Sequence, residues 1–388
     1  MHWPGLMNDK GTLMNDDKNF LDVAACLDFF SMHDAGGSEP TDWMAAQAGK
    51  NKYFIGKNPE SRTLLDRFTF DGVIDDFAAP GSSWNGVPCI PRSAVPSGSM
   101  VINCSTSISP VSVARIAESI SPGNTLSYSQ LCRLIFPELP LPAFVREARE
   151  DLGIHYKNYE ALFSRLEDSE SRRIFNTLMR YRLTAEVAVM ADFSVRIQDQ
   201  YFEAFLGNLD DVVFVDCGGY DGDTSEEFSS RYRAYRKIFL FEPSQQNLAS
   251  ARVRLQAVRD VEFIALGVSD VPGIVCFNAD AGSASAVSAS GTTQIAMTTI
   301  DSAVDAENCF IKMDLEGWEL KALQGARAHI TNGHPILAIA VYHTISDFWR
   351  IPEYVLSLQP DYRIYLRHYT EGWSETVMYF VPPALVPV

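Results

Sequence analysis

The stretch that most restricts what this chain can become runs from Asp211 to Ser225, DVVFVDCGGYDGDTS. Val212 to Val215 is apolar, rich in β-branched residues and too short for a helix, which reads as a buried strand. Asp216 ends the run, and Gly218, Gly219 and Gly222 follow at once. Thr224 or Ser225 then caps a helix whose first turn carries Glu226 and Glu227. Strand, glycine turn and helix, in that order, form the ligand site at the carboxyl end of the first strand of a doubly wound sheet. The pattern predicts an α/β fold.

The spacing is D-x-G-x-x-x-G and not the G-x-G-x-x-G of dinucleotide enzymes, whose glycines bring backbone amides up to a pyrophosphate. Asp216 stands before the turn, and Asp221 and Asp223 lie within it. Three acids repel a diphosphate and suit a cation. S-adenosylmethionine (SAM) carries a sulfonium and an ammonium and no phosphate, so it answers that description.

Downstream residues extend the pattern. Lys237 to Phe241 reads as a second strand, and Glu242 ends it twenty residues beyond Gly222, the usual reach of an acid that accepts both ribose hydroxyl protons. Asn247 to Val258 reads as a helix, and Glu262 to Leu266 as a third strand with Gly267, Ser269 and Asp270 in the loop near an adenine. Ile274 to Phe277 is a short β excursion. The Ala/Ser/Gly-rich run from Ala279 to Thr293 reads either as a mobile lid or as a solvated loop. Cys309 to Met313 is a fourth strand, ending on Asp314-Leu315-Glu316-Gly317 before a helix near Trp318. Two acids and Lys312 thus converge at the carboxyl end of a central strand. There Asp314 or Glu316 stands near a sulfonium, or Glu316 merely caps the helix.

Ile336 to Val341 is a fifth strand with Tyr342 and His343 at its end. An imidazole titrates near neutrality, so His343 is the candidate general base; the alternative is an ordinary hydrogen-bonded histidine. A helix follows over Asp347 to Leu358. Tyr362 to Arg367 and Thr376 to Val381 then read as a closing hairpin, with His368 at its border as a lesser candidate. A dehydrogenase sheet has no need of that hairpin. Asp314 and Glu316 could contribute to a divalent metal that acidifies a substrate hydroxyl, but no metal-ligand spacing compels one, and no metal ligands are assigned.

A chain of 388 residues calls for more than one domain. The text divides into an N-terminal segment (1–48), a small α/β module (49–124), a helical connector (125–205) and a C-terminal domain (206–388). In the first segment a helix fits Asn19 to Ser31. The module reads as strands at 53–56, 72–74 and 99–103 with helices over 60–68 and 110–119. Asp75 follows Gly56 at about the spacing of a ribose-binding acid, which suggests a second nucleotide site. Lys57-Asn58-Pro59 is no phosphate loop, however, so a degenerate Rossmann-like unit used for packing, or for a homodimer, fits better. In the connector, Arg172, Arg173, Arg180 and Arg182 read as a solvated face or as partners of local acids.

A formal charge of −17 disfavours nucleic acid and anionic membranes, and a small hydroxylated substrate suits it better. Seven cysteines without a C-x-x-C pair suggest reduced thiols, hence a cytoplasmic protein. The N-terminal text lacks a basic-then-apolar leader, and no apolar run reaches membrane-spanning length.

Taken together, ESRRIF, QYF, FVDCGGYDGDT, FLFEP, IKMDLEGWELKALQGA, LAIAVYH and YLRHY resemble the FkbM family of SAM-dependent methyltransferases over about Asp168 to Tyr379. The resemblance implies a Rossmann-like class I methyltransferase sheet with a C-terminal antiparallel hairpin. It implies methyl transfer to a hydroxyl of a sugar, glycan or polyketide. Asp216, Gly218, Gly219 and Gly222 would hold the methionine end of SAM, Glu242 the ribose, and Asp314 would lie by the donor methyl. Tyr220, in mid-turn, departs from the plainest form of such loops; it either shapes the substrate side or fills backbone room. Two rivals stay open: a dinucleotide oxidoreductase, and a non-catalytic regulator that binds SAM or a nucleotide.

Overall fold

The computed structural model describes residues 17–30, 49–135, 138–277 and 293–383. The chain divides into two compact units, one of Met1–Tyr156, Arg172–Ile197 and Tyr369–Glu375, the other of Lys157–Ser171, Gln198–His368 and Thr376–Val388. Among the described residues no helix is long and apolar enough to cross a membrane. The seven cysteines are all unpaired.

The first unit carries six strands: β1 (Lys52–Ile55), β2 (Gly72–Ile74), β3 (Ser83–Trp84), β4 (Val87–Ile90), β5 (Met100–Asn103) and β6 (Thr125–Ser127). They pair in the order β3-β4-β2-β1-β5-β6, parallel throughout except for the short β3–β4 pair. Phe54, Val73, Val101 and Ile102 are fully buried, as expected of strands covered on both faces. Asn58 caps the helix Pro59–Leu65 by a reciprocal bond with Ser61, with proline at the first helical position. The module is therefore a Rossmann-like sheet, larger than its sequence suggested, because β3, β4 and β6 are too short to show a period of their own.

The expected helix over Asn19–Ser31 shortens to Val23–Leu27 plus a single 3₁₀ turn, Asp28–Phe30, capped by the Asp22 side chain; Ser31 lies outside the described residues. The arginines of Ser169–Thr184 are less solvated than expected. Arg182 is buried and donates to the Trp373 carbonyl, and Arg173 lies over the Phe193 ring. The longest helix of the connector, Ala143–Arg165, carries a non-helical break at His155.

The second unit is built on β7 (Val213–Cys217), β8 (Lys237–Phe241), β9 (Val261–Ile264), β10 (Gly267–Val268), β11 (Gly273–Phe277), β12 (Thr293–Thr298), β13 (Cys309–Met313), β14 (Ile336–Ala340), β15 (Arg363–His368) and β16 (Thr376–Val381). Seven of these form one sheet in the order β15-β16-β14-β13-β7-β8-β9. β7, β8, β9, β13 and β14 are parallel, and β16 runs antiparallel to both neighbours. Counting only these seven from the amino end, the order is 3-2-1-4-5-7-6 with strand 7 reversed. The strand order changes direction between β7 and β13, the crevice where open α/β sheets bind ligands.

β10, β12 and β11 make a separate small sheet. All but one residue of the run Ala279–Thr293, expected as lid or loop, lie outside the described residues. Under the crevice, Phe228 of the helix Asp223–Arg231 stacks on Phe214 of β7 with centroids 4.2 Å apart. Both rings are fully buried. Removing either by mutation to alanine is worth about 3–5 kcal/mol, so the first strand and its helix are firmly joined.

Candidate functional site

β7 delivers Asp216 to the sheet's interior, where it is fully buried. Its register partner on β13 is Lys312. The Lys312 ammonium lies 3.0 Å from Asp216 Oδ1 and donates to the Gly218 carbonyl at 2.9 Å. Ser225 Oγ donates to Asp216 Oδ2 at 2.7 Å. Ser225 thus does not cap its helix as expected; the helix begins at Asp223 with Gly222 in the N-cap position, and the hydroxyl ties the helix to the strand. Burial works against the Lys312 charge, but Asp216 and Asp314 outweigh it and hold the amine above its ordinary value. The other two acids of the turn are also engaged with protein groups. Asp221 pairs with Arg254 at 2.6 Å, and Asp223 accepts the Thr224 N–H at 2.7 Å.

The glycines are there for room. A Cβ on Gly218, whose φ is +81°, would lie 2.0 Å from the Asp314 carbonyl oxygen, and one on Gly219 would lie 2.4 Å from Leu240 Cγ. Tyr220 also takes a positive φ of 44° and leaves its ring 45 % exposed. Its N–H donates to Glu242 Oε2 at 3.1 Å, while Ser244 N–H and Asn247 Nδ2 donate to Oε1 at 2.8 and 3.4 Å. Burial pushes the Glu242 carboxyl up in spite of these donors. A carboxylate whose outer face is set by two backbone amides is therefore positioned at the edge of the turn. Asp270 makes its contacts elsewhere: Ser269 Oγ at 2.8 Å, which with burial opposing it keeps the carboxyl below its ordinary value, and Lys321 Nζ at 3.7 Å.

A second group lies beyond the Gly218–Asp314 contact. The Asp314 N–H donates to the Cys217 carbonyl at 3.1 Å, which joins the two loops at the carboxyl ends of β7 and β13. Tyr201 Oη donates to Asp314 Oδ2 at 2.9 Å, and Tyr342 Oη approaches Oδ1 at 3.5 Å. Glu316 and Gly317 both have positive φ, 53° and 91°, and this reversal turns Glu316 toward His343. His343 Nε2 lies 3.4 Å from Asp314 Oδ1 and 3.3 Å from Glu316 Oε2, while Nδ1 lies 2.9 Å from Oε1 of the fully buried Glu319. Burial pushes the imidazole down, but Glu319, Glu316 and Asp314 outweigh it and hold His343 well above its ordinary value. Burial and Glu319 push Asp347 up to about 7, with His343 acting against them.

The structure brings together all three sequence-derived catalytic candidates, and joins them to the glycine turn through Asp314. His368 is not among them; it is buried, with Nδ1 2.9 Å from Thr376 Oγ1. Tyr201, Tyr342, Glu319 and Asp347 escaped the sequence reading. Glu319 had a signal, since it falls three residues after Glu316 at the start of a helix. Tyr201 had none beyond its place in the QYF leader.

A sheet of this strand order, with a glycine turn after strand 1, an acid after strand 2 and acids after strand 4, defines the class I methyltransferase fold. Residues 216–370 match the model of the Methyltransferase FkbM domain. Among solved structures, the chain is similar to methyltransferase FkbM from Methylobacillus flagellatus KT, with 23 % identity, 92 % of this chain and 97 % of that one covered, and a TM-score of 0.70. Looser likenesses include SMU.1697c, a putative methyltransferase from Streptococcus mutans in complex with SAH (16 % identity, 46 % and 93 % covered, TM-score 0.31). Another is Aeropyrum pernix fibrillarin with natively bound S-adenosyl-L-methionine (11 % identity, 48 % and 71 % covered, TM-score 0.31). No curated protein matches the chain.

Proposed function

We propose that the protein transfers the methyl group of SAM to a hydroxyl oxygen of a sugar, glycan or polyketide-like acceptor. The observation that carries this reading is the Gly218–Asp314 contact, which sets the turn and Glu242 beside the carboxylate–histidine group. On this reading Glu242 accepts the ribose hydroxyls, and the turn from Gly218 to Gly222 receives the methionine end. Asp216 acts from below, holding the turn through Ser225 and Lys312.

SAM brings an activated methyl, so the protein's task is to align oxygen, carbon and sulfur. The acceptor oxygen attacks the methyl carbon, the carbon–sulfur bond breaks with its electrons going to sulfur, and S-adenosylhomocysteine leaves. The hydroxyl proton passes to the Asp314–Glu316–His343 group.

Calorimetry of the full chain with SAM and with NADH tests the cofactor. We expect SAM to bind and NADH not to; binding of NADH alone overturns the reading. Transfer of labelled methyl from SAM to a panel of sugars, sugar nucleotides and polyols tests the acceptor. Label appearing on nitrogen or carbon and never on oxygen overturns the O-methylation half.

A further inference from the structure

The Asp314, Glu316 and His343 side chains come from two loops, after β13 and after β14, and present one ligand atom each within 4.8 Å of one another. His343 is nine-tenths buried, yet neither ring nitrogen makes a hydrogen bond of acceptable direction. Nε2 faces the gap between two carboxylate oxygens at 3.3 and 3.4 Å. That is a poor arrangement for a proton, which lies along a single N–H···O line. It is a good one for an ion. Ligands at about 2.1 Å from a metal, set at right angles or tetrahedrally, stand roughly 3.0–3.4 Å apart.

The surroundings fit as well. Nδ1 is turned to Glu319, which also accepts the Leu315 N–H at 2.7 Å. A carboxylate beside the other ring nitrogen is the usual outer neighbour of a metal-bound imidazole. Tyr201 holds the far oxygen of Asp314, leaving Oδ1 on the side of Nε2. The three first ligands are only partly covered, so further coordination positions face outward.

We infer that Asp314, Glu316 and His343 form a site for a divalent cation, with Mn²⁺ or Mg²⁺ the class that two carboxylates, one imidazole and open oxygen positions favour. Its use rests on the methyl-transfer reading above: the open positions take the acceptor hydroxyl, whose acidity a bound cation raises. The binding itself does not depend on that reading. Neither loop carries a recognisable metal motif, because 26 residues of strand and helix lie between Glu316 and His343.

The test is titration of EDTA-stripped full-length protein with Mn²⁺ alone, followed by the loss of the free-ion electron paramagnetic resonance signal. We expect one ion per chain, with affinity at least tenfold weaker in Glu316→Gln and in Asp314→Asn, both checked for unchanged melting. Absence of binding at millimolar Mn²⁺, or affinity in both variants equal to that of the unaltered protein, overturns the inference. SAM calorimetry on the same stripped protein separates the two claims: SAM binding without Mn²⁺ binding sinks the cation site alone, and Mn²⁺ binding without SAM binding sinks the cofactor reading alone.

Discussion

The two units open in the same way and diverge at the same point. In the first, β1 runs into Gly56, a helix, β2 and then Asp75; in the second, β7 runs into Gly218, a helix, β8 and then Glu242. Asp75 is taken by the ammonium of Lys57, from the turn it would have faced, and by the Phe77 amide. Glu242 is held instead by backbone amides, which orient a carboxylate without cancelling its charge. The positive charge of the second unit sits lower, on the buried Lys312. The lysine's place relative to the turn thus sets whether the acid after strand 2 is paired with a cation or held by backbone amides.

That contrast can be broken by experiment. The largest expected effect is Lys312→Met, which leaves Asp216 buried without a counter-charge and costs about 3–5 kcal/mol in urea denaturation. The matching Lys57→Met, on an exposed pair, stays within about 0.5 kcal/mol. Equal losses would show that the two lysines do the same work. Next comes Glu242→Gln, expected to weaken SAM about 10- to 100-fold by calorimetry, since hydrogen bonds to a charged acceptor are worth about 1.5–3 kcal/mol. Asp75→Asn leaves SAM affinity unchanged; a drop there would place a ligand in the first unit.

The smallest effect is in the acid limb of stability. Burial pushes Asp168 up, but hydrogen bonds from Arg367 and Ser171 outweigh it and leave the carboxyl below its ordinary value. A folded value below the unfolded one means that the contribution is complete above the unfolded value, near 3.8, and is lost as pH falls through the folded one. The Asp168 side chain is 33 % exposed, so screening limits it to under about 1 kcal/mol. In Asp168→Asn, stability followed by thermal melting falls less steeply below pH 4. The exposed Asp75 is lowered in the same direction by Lys57, and its share vanishes in high salt where part of that of Asp168 persists.

Much of the second unit was readable because its parallel strands are continuous apolar runs ended by acids or glycines. Lys237–Phe241 and Cys309–Met313 fall where the runs fall. Hairpin strands β15 and β16 were legible for the same reason. Three acids in the glycine turn were visible and Lys312 was placed near them, but which cation pairs with which acid was not. Lys312 reaches Asp216 across a strand pair 96 residues away in sequence, and Arg254 reaches Asp221 from the next helix. Likewise His343 was noticed as a lone imidazole, while its neighbour Glu319 looked like an ordinary first-turn glutamate. Only the positive φ of Glu316 and Gly317 makes them one group, and no residue type announces that bend where the bent residue is not glycine.

The path of the chain has a practical result for anyone wishing to cut it. Leu166 bridges Ile364, and Ser171 Oγ accepts from Arg367 and from the Leu366 N–H, yet both residues precede the first strand of the second sheet by some forty positions. Glu371, at the hairpin tip, takes its donors from Ser112. A fragment begun just before β7 would strip one end of these pairs and leave charged or polar groups stranded, so neither half is expected to be obtained by a single cleavage.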